Sequence, residues 1–292
     1  MPDFNNLPDF DSLPPVAGMP SGANSANRND SDKDGKKDIY GCLNLLTPET
    51  VREAYKEAKD GVSFSLNYPM DLLKMHSPRQ PMEHKVLSWR DDIKMGDALC
   101  LDDTVSFNTQ ASTQWDSLLH YAHQDSQCFY HGTQATKEQL TQETRAYDRE
   151  KALPTLDHWH DRGGLVARGV LLDYRAYARA KGIEYTPFSR HAITVADLEA
   201  IAAHQGTEIR RGDVLFVRSG FSEDLAPLDG DQQNEKMTQG GWGAIGVEGT
   251  RETARWFWNK HLAAVAGDML GFEVFPAVNE EGQPSMTAPL GK

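Results

Sequence analysis

The stretch ITVADLEAIAAHQGTEIRRGDVLFVRSGF, residues 193–221, contains a complete helix-to-strand unit. Thr194 and Asp197 have the Thr-x-x-Asp spacing of a capping box, which begins a helix, and Gly206 is typical of a helix end. The apolar positions between them recur at helical spacing: Leu198, Ile201 and Ala202. Residues 214–217 form a short, wholly apolar run after a turn, which indicates a buried strand. The stretch therefore predicts alternating helix and strand.

Outward from this unit, the same patterns recur along the chain. They predict helices over residues 47–61 and 250–261, and strands over residues 62–66, 169–174 and 262–266. Because helices and strands intermix throughout, the fold class is expected to be α/β, with α+β as the alternative. The glycine-rich residues 240–243 lack the strand-to-helix setting of a nucleotide site, so a flexible loop is expected there.

The composition limits the classes of function. The chain has 292 residues, 39% of them hydrophobic, which is enough for a sizeable core. A net charge of -13 argues against nucleic acid as a partner, because phosphates require Lys and Arg. No apolar run is long enough to cross a bilayer and no secretory signal is evident, so no membrane partner and a cytoplasmic location are expected. The three cysteines are odd in number and widely spaced, which predicts neither a disulfide framework nor a zinc knuckle.

The N-terminal part of the chain differs in composition from the rest. Residues 1–38 are rich in Pro, Asn, Asp, Gly and Ser and lack periodicity, so we expect a flexible arm there. Phe4 and Phe10 are the residues able to anchor this arm on the body or on a partner subunit. The globular domain is expected to occupy residues 39–292.

The stretch NTQASTQWDSLLHYAH, residues 108–123, carries the most informative polar side chains. If it is extended, the even spacing of Gln110, Gln114 and Asp116 directs all three to one side. His120 and His123 follow closely and reach the same cavity if the chain turns there. Amide oxygens, a carboxylate and imidazoles together favour a divalent metal site or a general acid–base site. The alternative is that they are only the solvated face of a strand.

Three weaker candidates lie elsewhere, and the first two have a simpler explanation. Residues 157–161 (DHWHD) have the composition of a metal site, although a solvated loop is the simpler interpretation. Asp268 follows a predicted strand, where open α/β sheets place functional groups, but it is equally suited to cap a helix. Cys128 is close in sequence to His131, without a recognisable nucleophile motif.

Five stretches together resemble one known family. They are residues 41–51 (GCLNLLTPETV), 112–124 (STQWDSLLHYAHQ), 167–174 (ARGVLLDY), 193–221, and 262–270 (LAAVAGDML). They are similar to the metal-dependent cyclase/hydrolase family that includes kynurenine formamidases and isatin hydrolases, in particular its longer fungal and microbial branch. The resemblance implies a swivelling β/β/α domain with a barrel-like mixed sheet core. It also implies a homodimer or homotetramer.

The resemblance also implies roles for individual residues. The family pattern His-x-Gly-Thr-His-x-Asp-x-Pro-x-His places its two metal-binding His on Gln110 and Gln114. It places its metal-binding Asp on Asp116 and its acid/base His on His120. The implied cofactor is a divalent metal, manganese or zinc, and the implied reaction is hydrolysis or cyclisation at an amide, lactam or lactone carbonyl. The expected substrate is a small molecule, aromatic or polyketide-derived, contacted by Trp115 and His123.

Two departures from the pattern leave alternatives open. Amide oxygens are poor zinc ligands beside imidazole, so the chain is expected to bind metal weakly, to prefer a harder ion such as manganese, or to bind none. A further ligand His expected near Gly291 is absent, so the chain is expected to lack the C-terminal end of its domain. The alternatives to metal-assisted catalysis are metal-free acid–base catalysis and a non-catalytic homologue that binds a small molecule.

Overall fold

The structure is a computed structural model that describes residues 7–13, 38–77, 79–124, 126–141 and 153–278. Its strands are β1 (Glu83–Ser88), β2 (Leu101–Ser106), β3 (Gly169–Asp173), β4 (Ala192–Ile193), β5 (Val214–Arg218), β6 (Gly246–Val247) and β7 (Ala264–Gly267). Its helices are α1 (Pro48–Tyr55), α2 (Lys137–Thr141), α3 (Asp157–Asp161), α4 (Tyr174–Lys181), α5 (Val195–Gln205), α6 (Phe221–Leu225), α7 (Gly230–Gln239) and α8 (Arg251–Asn259). The mixed α/β class predicted from the sequence is confirmed.

Two compact units make up the chain. Unit 1 consists of Met1–Val62, Asp116–Ser222 and Gly240–Lys292, and unit 2 of Ser63–Trp115 and Glu223–Gln239. The boundary between the two units falls within residues 108–123. Unit 2 contains Gln110, Gln114 and Trp115, whereas unit 1 contains Asp116, His120 and His123.

Unit 1 contains a parallel three-stranded sheet in the order β3-β5-β7. Helix α5 precedes β5, as residues 193–221 predict, and its capping box is formed: Thr194 Oγ1 accepts from Asp197 N at 3.2 Å, and Asp197 accepts from Thr194 N at 2.9 Å. The helix ends at Gly206, which adopts the left-handed φ of 66°. Leu172 and Leu215 on the adjacent strands are fully buried, so the core of unit 1 lies on this sheet.

Several sequence-based boundaries differ in the structure. Helix α1 begins after the Thr47 cap, as predicted, but ends at Tyr55 rather than at Gly61. Residues 62–66 form no strand, because no other described segment pairs with them. The described residues form three open sheets and no closed barrel, so the swivelling β/β/α arrangement stays a prediction.

The glycine-rich residues 240–243 have a packing role. A Cβ on Gly240 would lie 1.5 Å from the carbonyl oxygen of Phe188, and one on Gly243 would lie 2.5 Å from the backbone nitrogen of Arg190. Only glycine permits this approach of two backbones. The expected flexible loop is therefore a turn packed closely against the preceding segment of unit 1.

The described part of the N-terminal segment, residues 7–13, lies on α8. Asp11 forms ion pairs with Arg255 at 2.9 Å and with Arg251 at 3.3 Å. The guanidinium of Arg251 stacks over the ring of Phe10 at 5.0 Å. Phe10 thus anchors this segment on the body of the chain. The sequence left two alternatives open, the body or a partner subunit, and the first is observed. Phe4 lies outside the described residues, and the division into residues 1–38 and 39–292 remains a prediction.

Unit 2 is organised around the fully buried side chain of Gln233 on α7. Its Oε1 accepts from the backbone nitrogens of Lys74 at 2.8 Å and Met75 at 3.0 Å. Its Nε2 donates to the carbonyl oxygens of Leu72 at 3.0 Å and Leu225 at 3.3 Å. One amide therefore satisfies buried backbone groups from two separate segments of the chain.

Helices of membrane-spanning length and apolarity do not occur in the part of the chain that the structure describes.

Replacing Gln233 by leucine will destabilise the chain, because several buried backbone groups lose their partners. We expect a loss of about 2–3 kcal/mol in the free energy of unfolding, measured by urea titration. The matched control is Gln239→Leu on the same helix, since Gln239 is exposed and bonds only to Glu235 among described residues. Equal stability of the two variants would contradict this role of Gln233.

Candidate functional site

Asp116 and His120 lie together in unit 1. A turn at Ser117 brings them close: His120 N donates to the Ser117 carbonyl at 3.0 Å, and Leu119 N donates to Ser117 Oγ at 3.2 Å. The buried side chain of Leu119 anchors this turn. His120 Nδ1 lies 3.7 Å from Asp116 Oδ1, which is within ion-pair distance but beyond hydrogen-bond distance.

Both side chains of this pair are open to solvent. The Asp116 side chain is 46% exposed and that of His120 is 38% exposed. An imidazole beside a carboxylate, accessible from water, is an arrangement suited to general acid–base chemistry. The sequence singled out both residues as candidates, and the structure shows that they are neighbours; their roles stay predictions.

Glu273 is a third titratable group of this site, and the sequence analysis did not identify it. Burial raises the pKa of the Glu273 carboxyl, and the negative charge of Asp116 raises it further. The carboxyl of Glu273 and that of Asp116 therefore interact, although they are far apart in sequence. No local pattern marks Glu273, because its partner reaches it only through the tertiary fold.

The backbone of Glu273 is held in place by β6. Val247 N donates to the Phe272 carbonyl and Val274 N donates to the Val247 carbonyl, both at 2.9 Å. At Gly246, a Cβ would lie 2.3 Å from the carbonyl carbon of Glu273. Glycine at this position therefore allows the segment that carries Glu273 to approach the strand.

Gln110 and Gln114 lie in unit 2, and the backbone between them is not a strand. Gln110 belongs to a single 3-10 turn, Thr109–Ala111, so the alternation expected for an extended segment does not occur. The turn nevertheless brings the two side chains together, with Nε2 of Gln114 3.0 Å from Oε1 of Gln110. The following Trp115 is 40% exposed.

The hydroxyl groups between these two glutamines have a structural role in unit 2. Ser112 Oγ donates to the Pro69 carbonyl at 2.6 Å, and Thr113 Oγ1 accepts from Tyr68 N at 2.9 Å. These bonds fix the segment that carries Gln110 and Gln114. The Ser-Thr pair of the motif thus positions the glutamines.

His123 is engaged within its own turn in unit 1. Its Nδ1 accepts from Ser126 N at 3.2 Å and lies 3.0 Å from Ser126 Oγ. The buried Cys128 also bonds within this turn, since its Sγ donates to the Ser126 carbonyl at 3.4 Å. The observed partner of Cys128 is therefore a backbone oxygen of its own turn rather than the ring of His131.

The two remaining candidates have structural roles. Residues 157–161 form helix α3 instead of a loop, and its two imidazoles diverge: His158 is buried and His160 is exposed. Asp268 accepts from the backbone nitrogens of Ser219 at 2.6 Å and Gly220 at 2.8 Å, just before α6. The Asp268 carboxylate thus binds the turn that precedes α6, whereas its backbone carbonyl accepts from Ser222 N within the helix at 3.1 Å.

The donor groups of the described residues fit a metal ion poorly. Within the described ranges, no group of three or more His, Cys, Asp or Glu side chains is placed to hold one. Asp116 and His120 supply one carboxylate and one imidazole, and the amides of Gln110 and Gln114 are directed at each other. Neutral amide oxygens are weak substitutes for imidazole toward zinc. We therefore assign no chemical step to a metal.

Comparisons with known proteins give a consistent family. Residues 48–274 match the family model described as that of a cyclase. Among solved structures, one described as the crystal structure of a novel cyclase matches with a TM-score of 0.68 and 25% sequence identity, covering 89% of this chain and 82% of that chain. The comparison with curated proteins found no match.

The stability of the chain should depend on pH through Glu273. Because its pKa is raised in the folded chain, the contribution of Glu273 to stability is fully present below the ordinary value of 4.5 and is lost as pH rises through the raised value. Glu273→Gln removes this loss. The stability of the variant relative to that of wild type should therefore increase when the pH is raised from about 4 to about 7.5. Urea titration at both values measures it. A difference that is the same at both pH values would contradict the raised pKa.

Proposed function

The chain belongs to the cyclase family, and on that premise we propose that it is an enzyme acting at the carbonyl carbon of a small molecule. The proposed reaction hydrolyses or closes an amide, lactam or lactone bond of an aromatic or polyketide-derived metabolite. The observation that supports it is the placement of three titratable groups, Asp116, His120 and Glu273, in one unit.

His120 is the proposed acid/base group. In hydrolysis, its neutral imidazole takes a proton from water as the water oxygen bonds to the carbonyl carbon. The resulting imidazolium then gives the proton to the nitrogen or oxygen that leaves as the C–N or C–O bond breaks. In cyclisation, a nucleophile within the same molecule replaces water, and the transfers of the proton are otherwise the same.

Asp116 supports the imidazolium that forms during this cycle. Its Oδ1 lies 3.7 Å from His120 Nδ1, so a negative charge is next to the ring that carries the positive charge in the middle of the cycle. Because both groups are exposed in part, the effect is moderated by solvent. Asp116 is therefore proposed to act through its negative charge beside the ring, with a modest effect.

Glu273 is proposed to supply a carboxyl group in its protonated form. In active sites, different environments often give two carboxyl groups different pKa values, so that one acts as an acid and the other as a base. A half-buried carboxyl beside a second negative charge retains its proton more readily. Burial and the charge of Asp116 both favour protonated Glu273. Glu273 is thus the proposed hydrogen-bond donor to the oxygen that gains negative charge in the reaction.

The expected metal, manganese or zinc held by Asp116, Gln114 and Gln110, stays a prediction. Because these donors fit an ion poorly, weak metal binding is expected. The proposed proton transfers do not require Asp116, Gln114 or Gln110 to hold an ion. The roles of Trp115 and His123 in contacting substrate also stay predictions.

His120→Gln will lower turnover by at least about 100-fold while the fold is retained, because the proton transfers lose their carrier. Suitable probes are isatin, a lactam, and dihydrocoumarin, an aryl lactone, with ring opening followed by absorbance. The matched control is His160→Gln, since His160 is exposed on α3. Wild-type rates in His120→Gln would contradict the role of His120, and a wild-type chain that opens neither ring would contradict the substrate class.

Metal content distinguishes a reaction assisted by a bound metal from one that uses the proton transfers alone. After dialysis, we expect the wild-type chain to retain well under one equivalent of zinc or manganese by elemental analysis. The double variant Gln110→His/Gln114→His should bind zinc at least about tenfold more tightly in calorimetric titration, since imidazole replaces amide oxygen. One full equivalent of metal in the dialysed wild-type chain would show that the donors fit an ion after all.

A further inference from the structure

The N-terminal segment contains a tandem hexapeptide repeat. Residues 2–7 have the sequence PDFNNL and residues 8–13 have the sequence PDFDSL, so Pro, Asp, Phe and Leu recur at the same four positions. The structure describes the second copy, whereas residues 1–6 lie outside the described residues. The contacts of the second copy therefore show which groups the first copy could bring to the same surface.

The second copy lies on one face of helix α8, in unit 1. Arg251, Arg255 and Trp258 are separated by four and three residues, which places their side chains on the same side of the helix, and Asn259 is its last residue. We call these four residues the α8 face. Each of them contacts the second copy.

Two of these contacts use the backbone of the second copy. Trp258 Nε1 donates to the Pro8 carbonyl at 2.8 Å, and Phe10 N donates to Asn259 Oδ1 at 3.0 Å. Every residue except proline carries both backbone groups, and a carbonyl at proline is sufficient for the first contact. The first copy, with proline and phenylalanine at the same positions, can therefore form both bonds.

Two further contacts use side chains that both copies have. The guanidinium of Arg251 stacks over the ring of Phe10 at 5.0 Å, a cation–π contact. Leu13 is 7% exposed, so the last residue of the second copy is buried against the body of the chain. Phe4 and Leu7 occupy the corresponding positions of the first copy.

The copies differ at the position of Asp11, which is Asn5 in the first copy. Asp11 pairs with Arg255 at 2.9 Å and with Arg251 at 3.3 Å, and its side chain is 57% exposed. Exposed ion pairs contribute little, so we expect the second copy to be favoured by only about tenfold. The other difference, Ser12 against an asparagine, falls on an exposed residue.

We propose that the α8 face is a docking surface for peptides of the form Pro-Asp-Phe-x-x-Leu, and that residues 2–7 exchange with residues 8–13 on it. When residues 2–7 are docked, the chain between the α8 face and Asp38 is six residues longer. A longer chain spans the same distance, and the entropy of closing a loop changes little with such an increase. The N-terminal segment is thus a strap with two lengths.

Hydrogen exchange of the Trp258 indole, followed by NMR of the full chain, tests this exchange. The indole proton is bonded to Pro8 and should be protected in wild type. Phe10→Ala/Asp11→Lys disables the second copy, because the ring is lost and a cation faces two arginines. We expect protection to fall by only about tenfold, because the first copy takes the surface. Phe4→Ala alone is the control and should stay as protected as wild type.

The triple variant Phe4→Ala/Phe10→Ala/Asp11→Lys disables both copies, and its indole should exchange at least about tenfold faster than that of the double variant. Adding the synthetic peptide PDFDSL at about 1 mM should restore protection in the triple variant, whereas a peptide of the same composition in scrambled order should not. Trp258→Phe assigns the resonance, and circular dichroism checks that each variant is folded.

Four results would overturn the proposal. A double variant that exchanges as fast as the triple variant would show that the first copy does not dock. A triple variant as protected as wild type, or one that PDFDSL fails to protect, would show that the α8 face does not bind this peptide. Protection of the double variant that depends on protein concentration would show that its occupant comes from another molecule. Turnover enters none of these measurements, so the result is independent of the proposed function.

Discussion

The close approach of the Glu273 backbone to Gly246 is the constraint on which the candidate site depends. A side chain of any size at position 246 would overlap the carbonyl carbon of Glu273, which lies 2.3 Å from the Cβ position. Hydrogen bonds between Val247 and the segment around Glu273 then fix the register on both sides of that contact. The position of one half-buried carboxyl therefore follows from the absence of a single methyl-sized group.

This placement gives the site two carboxyl groups in different environments. Asp116 is exposed in part and stands beside an imidazole, whereas Glu273 is half-buried and near a negative charge. The environment of Glu273 favours a neutral acid, because burial and the charge of Asp116 raise the pKa of its carboxyl. In the proposed function, His120 carries the proton and Glu273 donates a hydrogen bond, and both groups lie in unit 1.

Local signals account for what the sequence predicted well. The capping box at Thr194, the glycine at position 206 and the apolar run of β5 act within a few residues, so pattern alone locates them. The proximity of Asp116 and His120 is local in the same sense, since a single turn joins them, and their catalytic and metal-binding roles stay predictions. Glu273 could not be identified from a local pattern, because the raised pKa of its carboxyl depends on burial and on Asp116, which is far away in the sequence.

The errors have equally physical causes. Residues 62–66 have the alternation of a strand, but a strand also needs a neighbour, and none of the described segments supplies one. Gln110 and Gln114 were expected to share a face of an extended segment, and a 3-10 turn brings them together instead. In the glycine-rich residues 240–243, composition suggested freedom where backbone packing requires glycine.

The coupling of Glu273 to Asp116 is the central claim, and carbon-13 NMR of the labelled Glu273 carboxyl tests it most directly. The account predicts a titration midpoint above the ordinary glutamate range in the wild-type chain and a lower midpoint in Asp116→Asn, where one source of repulsion is removed. Identical midpoints in the two proteins would contradict it.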